Sequence, residues 1–227
     1  MDMNLMTKYA PKTIDDVIFV NPTSKTVVDM LLNGSSAGHL VLHGPNGTGK
    51  TSLAHLLPEA IGGSDAWVEP KQFEDILSMK GLREYMSRCC NLARLVPTKY
   101  FAVWHELDNT KMRQDLFWTA LDSMGDDAML IVTTNHPAKL HPSLLNRCQR
   151  VEMPRIPPET ILARAQWILQ QEGVTLPDDQ TLHYLRRACA SGSLREYMRA
   201  LEIIIHLQSS GKALPPWTKS TPALRAV

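Results

Sequence analysis

The sequence predicts an α/β protein: a P-loop core with a five-stranded parallel sheet flanked by helices, followed by a small three-helix lid domain. Three observations carry this expectation. Residues 44–51 read Gly-Pro-Asn-Gly-Thr-Gly-Lys-Thr, directly after the apolar run Leu40-Val41-Leu42. Short apolar runs alternate with helical stretches as far as Met153. Beyond Pro154, Pro157 and Pro158 the pattern is helical throughout.

The strands are expected near 40–43, 65–69, 100–104, 128–133 and 150–153. Helices are expected over Ser24–Leu32, Thr51–Leu57, Lys71–Leu95 (with a break near Gly81) and Met112–Ser123. The runs at 100–104 and 128–133 are almost continuously apolar, as strands covered on both faces should be. The prolines then make a stiff break, because each disfavours helix in the residue before it. After it, a first helix over Pro158–Gln171 is closed by Gly173. A second, capped by Asp178 or Asp179, runs to about Ala190, and a third, capped by Ser193, runs to about Gln208. The expected division is residues 1–154 as the nucleotide-binding core, 155–210 as the lid and 211–227 as a loosely ordered, proline-containing tail.

Composition excludes several function classes. The 227 residues are 44% hydrophobic and 21% charged, with a net charge of +1. Any nucleic-acid contact therefore has to be a local basic patch. The N-terminus lacks a basic region followed by an apolar stretch, and the apolar runs are too short to span a bilayer, so a soluble, intracellular chain is expected. Four cysteines (89, 90, 148 and 189) show no C-x-x-C spacing, and the eight histidines show no metal spacing. Reduced thiols and no zinc site are the expectation.

The segment 44–51 is the strongest chemical signal. Gly44, Gly47 and Gly49 let the backbone curl so that amide N–H groups face phosphate oxygens, with Pro45, Asn46 and Thr48 completing the loop. Lys50 supplies a point charge for the β and γ phosphates. Thr51 offers a hydroxyl to Mg²⁺, at the positive end of the helix that starts there. ATP and Mg²⁺ are the expected ligands.

A second nucleotide element should be an apolar strand ending in acidic residues. Tyr100–Trp104 followed by His105-Glu106 fits, with a histidine where an aspartate is usual. Glu106 can serve as the base for an attacking water. His105 cannot replace a carboxylate near a hard cation, so it is either a tuned catalytic residue or a histidine satisfied at a strand end. Asp108 lies further along, past the strand end. The run 128–134 ends at Thr133-Thr134-Asn135, where the Asn135 amide can bond both γ-phosphate and water, or simply end a turn. Arg147 can reach a neighbouring subunit's γ-phosphate or form a surface ion pair. Arg195, in the first turn of the last helix, can fold back onto bound phosphate or lie in solvent.

Together, in order and spacing, these segments resemble the AAA+ ATPases, and more narrowly the small subunits of sliding-clamp loaders of the replication factor C type. Lys8-Tyr9-Ala10-Pro11-Lys12 resembles that group's N-terminal box, so Tyr9 and Pro11 are assigned near the adenine. The resemblance identifies 44–51 and 105–106 with the two Walker motifs, Asn135 with the first sensor, Asn146-Arg147-Cys148 with the arginine finger, and Gly192–Arg195 with the second sensor. It departs at Ala10, which replaces the box arginine, and at His105. The collar domain that assembles clamp loaders is not expected in this chain. The resemblance implies an oligomeric, ATP-switched machine whose partners are DNA and a sliding clamp or another replication protein. Lys111 and Arg113 are the best candidates for contact with DNA, and Arg83 and Arg88 are weaker ones. Two other readings are an ATP-bound assembly subunit with little or no turnover and a helicase loader or transposition regulator.

Overall fold

Strands β1 (His39–His43), β2 (Trp67–Gln72), β3 (Tyr100–His105), β4 (Ala128–Thr134) and β5 (Cys148–Glu152) form one parallel sheet in the order β2-β3-β4-β1-β5. This computed structural model describes residues 4–72, 99–107, 128–189 and 191–217, together with Glu84, Ser87, Arg88, Asn91, Leu92, Leu95 and Leu121. The chain divides into two units, Pro11–Arg155 and Met1–Ala10 with Ile156–Val227.

In the α/β unit the side chains of each strand alternate between two hydrophobic clusters, as the two-residue period of a strand requires. Val41, Tyr100, Ala102, Trp104, Leu130 and Val132 fall on one side. Leu40, Leu42, Phe101, Val103, Met129 and Ile131 fall on the other, against Val28 and Leu31 of α2 (Pro22–Leu32) and Leu53, Ala54 and Leu57 of α3 (Lys50–Gly62). Every residue of β4 is buried, so its near-continuous apolar run reports a central strand covered on both faces.

Strand β5 begins two residues before the expected 150, and two further elements of the α/β unit differ from expectation for physical reasons. Helix α3 continues past Leu57 through Pro58 to Gly62. The proline removes one backbone hydrogen bond, but its ring is buried and the helix ends at Gly63, which has φ 77°. Strand β2 begins two residues later than expected and runs through Pro70, Lys71 and Gln72, so no helix starts at Lys71. It lies at the edge of the sheet, the one place where a proline need not donate to a ladder. Apart from Glu84, Ser87, Arg88, Asn91, Leu92, Leu95 and Leu121, the rest of the expected helices 71–95 and 112–123 lies outside the described residues, as do Arg83, Cys89, Cys90, Asp108, Lys111 and Arg113.

The second unit consists of α1 (Leu5–Lys8), α5 (Pro158–Gln171), α6 (Asp178–Ala188) and α7 (Leu194–Ser209), while the short α4 (Pro142–Leu145) belongs to the α/β unit. The first ten residues thus group with the helices, not with the core to which a boundary at 154 assigns them. Their anchors explain this. Leu5 is fully buried and its amide donates to Glu202 Oε1 at 2.9 Å. Lys8 Nζ and the Tyr9 hydroxyl both donate to Glu172 Oε1 at 2.6 Å, and Tyr9 packs edge-on against Trp167. Asp178 and Asp179 are not caps: Pro177 holds that position, and the two carboxylates sit inside the first turn of α6, where the helix dipole favours them. The described part of the tail is tied where the Tyr184 hydroxyl donates to the Pro215 carbonyl.

This anchoring predicts an acid transition. The hydrogen bonds from Lys8 and Tyr9 hold the Glu172 carboxyl below its usual value of 4.5. A carboxylate so lowered contributes fully above 4.5 and loses its contribution as the pH falls through its folded value. The Trp167 indole resonance should therefore report detachment of Tyr9 in that acid range, and Glu172→Gln should remove the transition.

Among the described residues no helix is long and apolar enough to cross a membrane, and no group of three or more His, Cys, Asp or Glu could hold a metal ion. Cys148 and Cys189 are buried free thiols, and burial pushes the Cys148 pKa up to about 12.

Candidate functional site

Parallel strands end together, so the order β3-β4-β1 brings three expected segments to one carboxyl edge. The loop 44–51 follows β1, Asn135 follows β4, and Glu106 follows β3. This edge is where ligands of open α/β sheets bind.

The loop leaves β1 under tight constraint. The Gly44 amide donates to the Thr134 carbonyl, and the Met153 amide donates to the His43 carbonyl at 2.7 Å. Gly44 has φ 141°, and a Cβ there would stand 2.1 Å from the Met153 carbonyl oxygen, so only glycine fits. Gly47 and Gly49 also have positive φ, and Gly49 begins α3 without a side-chain cap. The first amides of this thirteen-residue helix thus carry the positive dipole end with no side chain laid across them from the cap position. Lys50 is 7% exposed and turned into the curl, its Nζ donating to the Gly44 carbonyl at 2.8 Å and the Pro45 carbonyl at 2.6 Å. The Thr48 hydroxyl donates to the Pro45 carbonyl, while Thr51 is exposed at the helix start. Pro45 and Asn46 complete the curl. One buried ammonium beside the uncapped amides at the start of α3 fits a polyphosphate.

At the end of β3, two strands from β1, Glu106 is exposed with φ 53°, and its amide donates to the Thr133 hydroxyl at 3.2 Å. His105 is half-buried, and neither ring nitrogen has a hydrogen-bond partner. Burial, and then the nearby His55, hold its pKa below the ordinary histidine value, which favours the neutral ring. The His55 and His105 rings lie 5.0 Å apart. This is not a histidine satisfied by hydrogen bonds at a strand end. Asn135 is half-buried beside the loop's strand.

Arg147 is exposed and lies elsewhere. It immediately precedes β5, whose first residue Cys148 pairs with His39, the first residue of β1. Its guanidinium donates to the Ser143 carbonyl of α4. The length of β1 separates this edge from the loop, about 16 Å at about 3.3 Å per residue. Tyr9 and Arg195 belong to the helical unit, where Arg195 is exposed in the first turn of α7, and Pro11 begins the α/β unit. Arg88 is exposed.

Residues 40–155 match the family model described as "ATPase family associated with various cellular activities (AAA)". The chain belongs to the AAA family. The AAA match covers the loop, the ends of β3 and β4, and Arg147. Among similar curated proteins are the replication factor C small subunit 2 of Pyrobaculum islandicum, 24% identical over 86% of this chain and 62% of that protein, and the replication factor C small subunit of Thermofilum pendens, 26% identical over 86% and 60%. The chain thus spans about three-fifths of the length of the curated relatives it matches. Two solved structures of Thermotoga maritima RuvB, each of a single-residue variant, superpose with a TM-score of 0.70 at 16% and 17% identity. They cover 90% and 91% of this chain and 68% of each RuvB chain. At that identity the likeness is one of fold, and it agrees with an AAA sheet carrying a P-loop.

Sequence reasoning passed over three residues that the AAA core and the helical unit bring into play. Thr133 looked like an ordinary member of a strand end. His55 is one polar residue on a mostly apolar helix, and Glu172 follows a helix whose partner lies 163 residues earlier. None carries a local signal, because each matters only through a long-range contact.

Proposed function

We propose that the chain binds ATP with Mg²⁺ in the loop 44–51 and hydrolyses it as an oligomeric, clamp-loader-type ATPase in DNA replication or a related DNA transaction. The observation that carries this is the curl itself, with Lys50 turned into it between β1 and an uncapped α3. The names of the similar curated proteins support the clamp-loader class.

The roles follow from placement. Amides of 44–51 and Lys50 bind the phosphates. Mg²⁺, when bound, neutralises charge on the β and γ oxygens, and Thr51 is the hydroxyl that would hold it. Glu106 takes the proton of the attacking water, and Asn135 orients that water against the γ-phosphate. Tyr9 and Pro11 at the base, and Arg195 at the phosphates, are assigned by resemblance. Arg147 serves a neighbouring subunit, since its own loop lies across the sheet. Arg88, Arg83, Lys111 and Arg113 are the proposed DNA contacts. The test is phosphate release under saturating ATP and Mg²⁺, with and without primed DNA, alongside particle mass. Binding without turnover in any assembly would reject the ATPase reading.

One observation favours a second reading, an ATP-bound assembly subunit with weak turnover. A ring held neutral stands where this family usually has a carboxylate. His105→Asp is expected to raise Mg²⁺-dependent turnover about ten-fold, the effect of roughly 1.4 kcal/mol of added stabilisation. Loss of activity in that variant would remove the second reading.

A further inference from the structure

We propose that Thr133 is a positioning residue for hydrolysis: its hydroxyl holds Glu106 in the left-handed backbone conformation that turns the carboxylate out of the sheet edge. This rests on the reading of Glu106 as the base. The β3–β4 ladder is paired up to Trp104 and Val132, and the chain then leaves it. Glu106 is, among the described residues, the one non-glycine with positive φ, a conformation side chains with a Cβ rarely adopt. Something must hold it there. Leu107, fully buried, pins the chain on one side, and β3 pins it on the other.

Leaving the ladder would also orphan the Glu106 amide, and the Thr133 hydroxyl supplies the missing acceptor at 3.2 Å. Thr133 is 2% exposed, so packing fixes that oxygen, and its branched side chain is stiff about χ1. Its backbone meanwhile pairs with Leu42, two residues before Gly44. A single residue therefore sets Glu106 relative to the strand that delivers the phosphate loop. A displacement of about 1 Å in a reacting group can cost on the order of a hundred-fold in rate.

The test compares Thr133→Val, Thr133→Ser and Glu106→Gln in the full chain, reading kcat, ATP affinity and thermal stability. Glu106→Gln should lower kcat by about a hundred-fold or more, as loss of a general base does. Thr133→Val keeps the shape and loses the acceptor. It should lower kcat about ten-fold or more with ATP affinity within about two-fold, the signature of a group that acts on the transition state. Thr133→Ser restores the hydroxyl and should return kcat to within about three-fold of the parent protein. Unchanged kcat in Thr133→Val beside a dead Glu106→Gln overturns the inference and spares the base. Full turnover in Glu106→Gln overturns the base assignment and the inference with it. If Thr133→Val does not fold, Thr133→Cys, close in size with a poor acceptor, replaces it and is judged by the same outcomes.

Discussion

Arg147→Ala is expected to leave ATP affinity of the isolated subunit unchanged and to lower turnover of the assembled protein about a thousand-fold, the low end for an arginine acting in trans. The reason is topological. Arg147 precedes β5, and β5 runs parallel to β1, so the arginine lies at the amino edge while the loop lies at the carboxyl edge. No rotamer spans about 16 Å of sheet, since an arginine side chain reaches less than half that far, and a contribution to its own subunit's nucleotide is excluded. Its guanidinium donates to the Ser143 carbonyl on an exposed surface, so truncation removes little packing. Steady-state phosphate release, measured above and below the concentration at which the subunits associate, checks the expectation. An equal loss in the monomer would rule out the trans role.

Lys50→Ala should weaken ATP binding about a hundred-fold, the scale of truncating one partner of a buried charge pair. The ammonium is nearly buried, and it donates to two carbonyls of its own loop. In the proposed ATP complex those donors would turn to phosphate oxygens, so removing them would cost both the ionic hydrogen bonds and the charge balance of the curl. The fold should survive, because the truncated atoms support the loop and not either hydrophobic cluster. Calorimetric titration with ATP and Mg²⁺, paired with circular dichroism, separates the two effects. Unaltered affinity would mean that the phosphates bind elsewhere.

How much of this was legible depended on how local each signal was. The loop was readable because its glycines, lysine and threonine act within eight residues of one another. β3 and β4 were readable because burial on both faces leaves an apolar run. β2 was misplaced because an edge strand carries Pro70, Lys71 and Gln72 without penalty. The first ten residues were assigned to the wrong unit because their anchors, Glu172 and Glu202, are distant in sequence and chemically ordinary. The left-handed backbone at Glu106 could not be read at all, since no glycine or asparagine marks it.

Under the proposed trans role of Arg147, its opposition to the phosphate loop across the sheet constrains how copies of this chain can associate. A pair related by a two-fold axis apposes like with like, whereas a donor on one rim and its acceptor on the other demand a head-to-tail stack. Such a stack has a free donor at one terminus and an untouched nucleotide at the other unless it closes on itself. An assembly left open would then contain one subunit fewer at work than it has subunits.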